Sequence, residues 1–218
     1  MNKFVRVLLP LFFMLFFTVV LGVMLNEKLR TFFSASKWVT HTYEVLVAVE
    51  DCHEDFNNSD AEYLFFLVNN NDYHARQHFQ VQATAFYKLQ QIQNMTDDNS
   101  VQLSNLEDLK KKAWARAKFT ENVIIKKRKG EPIPEVGSEV CVKLRQDVRD
   151  AFSTVLAEEK RLLEDRQEKN SAAILHITIY LIGLVILSSS SLSFVVGVVY
   201  SDLRKKETLD GFLDRIKK

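Results

Sequence analysis

Two runs without a single Asp, Glu, Lys or Arg, residues 7–25 and 171–201, constrain this chain more than any other feature. A run of about 18 or more such residues lets one helix satisfy its own backbone amides while crossing the hydrocarbon core of a bilayer. Asn26-Glu27-Lys28 closes the first run, and Asp202 with the Arg204-Lys205-Lys206 cluster closes the second. Two spans put both termini on one side of the membrane and 26–170 on the other. A cleaved secretory signal is the rival reading of the first run, but such signals carry an apolar region of only about 7–15 residues. The small-residue cleavage site on offer, Ser34-Ala35-Ser36, lies beyond Glu27, Lys28 and Arg30, so a retained anchor is expected. The expected organisation is a terminus at 1–6, a span at 7–25, an outer domain at 26–170, a span at 171–201 and a tail at 202–218. This is a receptor's layout, with too little chain after the second span for an output domain.

Charge sets the orientation. The formal net charge is +1, but the two termini hold eight Lys/Arg against four Asp/Glu, while the middle holds twenty-one against twenty-four. Positive excess beside a span marks the cytoplasmic side, so the termini are expected inside and 26–170 outside. A near-neutral middle argues against nucleic acid as a partner, since that binding usually needs a strongly basic face. The lipid bilayer is the partner the sequence specifies directly.

The outer region reads as helix throughout. No Gly or Pro occurs between Val23 and Lys129, and no alternating β-branched run appears. Breaks fall at Asn69-Asn70-Asn71-Asp72, with Asp72 as expected N-cap, at Thr96–Ser100, and at Gly130-Glu131-Pro132-Ile133-Pro134. Four helices follow, at about 26–68, 73–93, 101–127 and 135–171. Their expected inner faces are Val39, Tyr43, Leu46, Val49 and Phe56; then Phe79, Ala83 and Phe86; then Leu106, Leu109, Ala113, Ala117, Thr120 and Ile124. Helix four offers Leu144, Val148, Ala151, Val155 and Leu162, with Glu158 at a polar slot. The fold class expected is all-α, an up-down four-helix bundle flanked by two transmembrane helices.

Cys52 and Cys141 stand about 27 residues beyond one span and about 30 before the other, a mismatch of about 5 Å in helical rise. They form either a disulfide across adjacent helices or two separate buried thiols. Gly183, Ser190 and Gly197 recur every seven residues in the second span, a small-residue stripe that lets helices approach closely in lipid, against the first span or a second copy. The tail repeats an apolar face, Leu209, Phe212, Leu213 and Ile216, among basic residues. That face either contacts a partner or lies on the anionic inner leaflet. No Gly-rich phosphate loop, metal constellation or nucleophile elbow is present, so neither enzymatic activity nor a cofactor or metal is expected.

Trp38-Val39-Thr40-His41-Thr42, shortly after the first span, is similar to the signature that opens the extracytoplasmic sensory domain of the third CHASE class. Asp147-Val148-Arg149 and Glu158–Arg166 resemble that family's closing helix, and Asp98-Asn99 with Gln102, Leu103, Leu106 and Leu109 resembles its third-helix start. The resemblance covers about 28–170. It departs at Glu62–Val68, where the family has an Arg-Gly-Tyr-like stretch. It implies a sensory, dimeric module in a bacterial inner membrane, with Trp38, Thr40, His41 and Thr42 as the motif. It also implies a kinase, cyclase or chemotaxis-type output, which would here have to be a separate cytoplasmic protein. His41 has two readings, a pH- or ligand-sensing group or a packed, hydrogen-bonded member of a bundle layer. A structural or assembly factor that docks an envelope complex is the alternative function.

Overall fold

The computed structural model describes residues 3–97 and 99–216, with side chains over 7–97, 99–201 and 203–205. Among them are four helices and no strand: α1 Lys3–Asn69, α2 Asp72–Met95, α3 Ser100–Arg128 and α4 Glu139–Ile216. Helices α1 and α3 stop where the backbone can turn left-handed. Asn70 ends α1 at φ 51°, its N–H donating to Phe66 O at 2.9 Å. Gly130 ends α3 at φ 71°, and Glu131 N–H reaches back to Lys126 O at 3.0 Å, the long-range bond of a glycine C-cap.

Two starts differ from expectation. Asn71, not Asp72, caps α2, its side chain accepting from Tyr73 N–H at 3.0 Å. Asp72 becomes the first helical residue and pairs with Arg128 at 2.8 Å. Helix α4 begins at Glu139 rather than Glu135. Gly137 favours a turn over a helix interior, and the Ser138 N–H bonds Glu135 O at 2.9 Å before the helix is entered. At α3 the cap is Asn99, which accepts from Val101 N–H at 3.1 Å and Gln102 N–H at 3.2 Å.

The chain divides into two compact units, 37–167 and the pair of segments 1–36 and 168–218. In the first, all four helices contribute to one core, with Val49 and Phe56 of α1, Leu89 of α2, Leu109 of α3 and Phe152 and Val155 of α4 at its centre. Buried positions of α1 include a series that steps by threes and fours, 42, 45, 49, 52, 56, 59, 63 and 66, and those of α3 one at 102, 106, 109, 113, 116, 120 and 123, with Leu46, Leu67, Ala117 and Ile124 buried beside them. This is the heptad spacing that keeps one seam facing its neighbours.

The six expected inner positions of α3 are all buried. Helix α2 is registered differently. Ala83 is exposed and Phe79 and Phe86 are half-buried, while Ala75, His78, Ala85, Leu89 and Ile92 face inward. The large rings flank the seam instead of filling it: Phe86 meets Phe56 edge-on at 5.5 Å and stacks on exposed Trp114 at 4.5 Å. Tyr43 is likewise exposed, and the seam position beside it belongs to Thr42. On α4, Leu144 and Leu162 are half-buried, and the buried slot is Glu159, the residue after Glu158.

In the other unit, α1 and α4 each contain a window apolar enough and long enough to cross a membrane, with mean hydropathies of 2.7 and 2.2. A Cβ at Gly183 would stand 4.0 Å from Leu21 Cδ1. Ser190 is exposed and turns its hydroxyl to Ile186 O at 2.8 Å, and Gly197 has nothing within 4 Å. Of the expected stripe, then, only Gly183 approaches the first apolar segment. The side chains of Leu209, Phe212, Leu213 and Ile216 lie outside the described residues.

Candidate functional site

Polar residues occupy seam positions of unit 37–167, and they fall into three groups. The first lies where α1 enters and α4 leaves. Thr42 is fully buried, its hydroxyl donating to Trp38 O at 3.0 Å and accepting from Arg166 Nη1. The Arg166 guanidinium lies over the Trp38 ring at 4.8 Å, a cation–π contact. His41 packs edge-on to Trp38 at 5.6 Å, with Nε2 3.0 Å from Met95 O at the end of α2. One turn deeper, buried Gln102 donates from Nε2 to Val155 O at 3.1 Å and to Glu159 Oε1 at 2.9 Å. Burial pushes the Glu159 carboxyl up from its usual range, against the opposing pull of Arg166 and the Gln102 hydrogen bond. The motif residues Trp38, His41 and Thr42 thus converge on Arg166 and Met95, while Thr40 lies on the exposed face.

The second group surrounds His78, which is fully buried. Its Nδ1 is 2.8 Å from Ser59 O and 2.9 Å from Ser59 Oγ, and its Nε2 is 3.1 Å from Thr120 Oγ1. Both ring nitrogens therefore have partners on α1 and α3. Burial lowers the His78 pKa, with the Ser59 backbone bond opposing, which favours the neutral ring.

The third group is charged. Arg116 of α3, with a side chain only 5% exposed, donates from Nε and Nη2 to Asp60 Oδ1 at 3.1 and 2.9 Å. It also lies over the Tyr63 ring at 5.2 Å. Arg145 of α4 brings Nε to 3.3 Å from the other oxygen, Asp60 Oδ2. Asp60 thus holds α3 by hydrogen bonds and α4 by an ion pair, and a small cavity opens beside it.

Cys52 and Cys141 are free thiols with separate partners. The Cys52 thiol donates to Ala85 O at 3.3 Å, and Arg116 Nη1 stands 3.7 Å from Cys141 Sγ. Burial, helped by Asp55, pushes the Cys52 thiol up to about 12. Contacts pair Phe56 with Phe152 and Asp60 with Arg145, so the α4 neighbour of Cys52 lies about 14 residues past Cys141. That offset is about 20 Å of helix. The equal-height expectation failed because the uncharged run 171–201 is longer than 7–25, and counting from its start misplaces the level.

Among the described residues no group of three or more His, Cys, Asp or Glu is placed to hold a metal ion. What the geometry offers is mechanical and electrostatic: polar ties that lock α1 to α4 through side chains more than 120 residues apart in sequence. The CHASE3 domain matches residues 35–169, more than half of the chain and all of the unit just described. The chain belongs to the CHASE3 family. CHASE3 is an extracytoplasmic sensory domain family, which supports a sensory role and agrees with membrane localisation. No curated protein and no solved structure matches this chain.

Sequence reasoning singled out Trp38, Thr40, His41 and Thr42 but missed Ser59, Asp60, His78, Arg116 and Arg145. The signal for some of them was present: Gln102, Leu109, Arg116 and Val123 are spaced by seven, and a search for apolar residues alone passes over the polar members of such a series.

Proposed function

We propose that this CHASE3 protein is a membrane-anchored sensory module. Its outer region is an up-down four-helix bundle flanked by two membrane spans, and it passes a signal to a separate cytoplasmic kinase, cyclase or chemotaxis-type protein as a homodimer. The observation that carries the reading is the tie between the first and last helices of the bundle. Arg166 engages Trp38 and Thr42, and Gln167 donates to Tyr43 Oη at 2.9 Å. These are the helices that also contain the two apolar windows. A stimulus that breaks the tie shifts one helix along the other, and packed interfaces convert such shifts into discrete states. Short connections support the up-down order. So do contacts in which numbers rise on α1 as they fall on α2: Cys52 with Ala85, Ser59 with His78, Glu62 with His74.

Topology is tested by impermeant thiol labelling of Asn58→Cys and Ser201→Cys in intact cells. Native Cys52 and Cys141 are buried, at 0% and 2% exposure, so the background is low. Label is expected at 58 in intact cells and at 201 only after the membrane is opened; the reverse pattern overturns the orientation. For output, Phe212→Glu with Ile216→Glu is expected to abolish capture of the cytoplasmic partner while insertion and helicity persist. Deletion of 207–218 with no effect on capture or cellular response would leave the assembly-factor reading in its place.

A further inference from the structure

Between α1, α3 and α4 the outer unit holds a cavity of about 20 Å³. Its polar lining is His53, Asn57, Asp60, Arg116, Arg145 and Arg149, and Phe56 and Val148 supply the apolar wall. Three guanidiniums and one carboxylate leave the cavity with two uncompensated positive charges. Asp60 is already committed, with Oδ1 holding Arg116 through two bonds and Oδ2 facing Arg145 Nε. At 3.3 Å that last approach is an ion pair by distance, but its geometry is not that of a hydrogen bond. Arg145 Nε and Nη2 are both buried, and neither has a hydrogen-bond partner. Buried donors on a charged group are costly to leave unmatched, and native structures rarely leave them so. Burial, and next the Arg149 charge, lower the His53 pKa, which favours a neutral ring that adds no further positive charge to that of the arginines.

We propose that this cavity binds the carboxylate of a small anionic ligand, held by Arg145 and Arg149 on α4 and reached by Asn57 on α1. The unpartnered Arg145 Nε and Nη2 form one side of the planar fork that matches the two oxygens of a carboxylate. The volume admits about one or two water-sized centres, which fits a planar head group and is too small to enclose a tetrahedral oxyanion. Asn57 and Arg149 are exposed, so the remainder of the ligand points to solvent. The site deepens the sensory reading, and rests on it only for the consequence that an anion seated there ties α1 to α4.

The test uses the full chain in zwitterionic nanodiscs at constant ionic strength. The helical signal is followed through thermal unfolding as sodium acetate or succinate replaces sodium chloride, with sodium phosphate as comparison. The expected result is a saturable rise of the midpoint with the carboxylates, about 5–10 °C at a hundredfold excess over Kd, and little with phosphate. Arg145→Gln and Arg149→Gln should each abolish the rise, while Lys143→Gln, which removes the same charge elsewhere on α4, should keep it. Should a variant fail to fold, selective ¹⁵N-arginine labelling of the unaltered chain reads the site directly, since the Arg145 Nε–H resonance should move with carboxylate and not with chloride. Carboxylates indistinguishable from chloride by both measurements, or a saturable rise that persists in Arg145→Gln, would overturn the proposal. Binding without any cellular response would refute the sensory reading and leave the site standing. A response independent of carboxylate, with no binding, would do the opposite.

Discussion

Replacing Asp60 with Asn keeps the shape of the side chain and removes the one negative charge that the Arg116 and Arg145 guanidiniums share. In the folded protein Arg116 Nε and Nη2 lie 3.1 and 2.9 Å from Asp60 Oδ1, and Arg145 Nε lies 3.3 Å from Oδ2. At a separation of about 3 Å and an effective dielectric of about 20, one such pair is worth about 5 kcal/mol of Coulomb energy. Water reduces that figure, because the Asp60 side chain is 21% exposed although that of Arg116 is only 5% exposed. The Asn carbonyl still accepts one hydrogen bond. The expected cost is about 3 kcal/mol, at the low end of what breaking one partner of a buried pair costs. Thermal unfolding of the full chain in nanodiscs, followed by its helical signal, should then show a midpoint about 6–12 °C lower. Arg116→Met removes the stranded charge and fills the space with an apolar chain, so the double variant should recover at least half of the loss. A drop below 2 °C for Asp60→Asn, or a double variant whose losses simply add, would refute the claim that this pair is electrostatically buried.

Phe152→Ala should cost about 3–5 kcal/mol, since the ring is fully buried between His53 at 4.6 Å and Phe56 at 5.5 Å, and its removal leaves a cavity. A denaturation midpoint near that of the unaltered chain would mean the region collapses freely. Asn99→Ala removes the acceptor for two α3 amides and should cost about 1 kcal/mol, with Asn99→Ser restoring most of it in the same assay. Glu159→Gln tests a sign. The folded-state pKa of Glu159 is raised, so its contribution to stability is fully present below about 4.5 and is lost as pH rises through the folded value. The Gln variant, which keeps an acceptor for Gln102, should therefore gain on the unaltered chain as pH moves from 4 to 7. A stability difference that stays flat with pH, or falls, would contradict the assignment.

The sequence reveals the all-helical class, and it reveals much of the buried face of α3 because apolar residues hold six of the nine buried positions there. Its spacing of four and three needs no neighbour to interpret it. Helix α2 was harder. The phenyl rings of Phe79 and Phe86 outweigh Ala75, Ala85 and a histidine in any apolar count, yet the narrow seam takes the small residues and leaves the rings to cover its edge. The same bias hid Thr42 behind Tyr43 and Glu159 behind Glu158. The charged cavity was illegible for a different reason. Asp60, Arg116 and Arg145 sit on three helices, each ordinary where it stands, and only the packing of α1 against α3 and α4 makes one carboxylate answer two guanidiniums. The stretch Trp38–Thr42 stood out in the sequence, but Arg166, which engages Trp38 and Thr42, was recognised only as part of a Glu-rich ending, with no hint that it reaches back to the start.

The stepping of buried positions by threes and fours also limits how relatives of this chain can change length. The main core cluster draws side chains from all four helices, so one or two residues gained inside a single helix would turn every later inner residue outward and bury polar ones in their place. Only whole seven-residue units, added to all four helices together, preserve the layers. Smaller insertions belong at 70–71, 96–99 and 129–138, where no seam must be kept in phase. The last of these, with Gly130, Gly137 and two prolines, has the most room to take them.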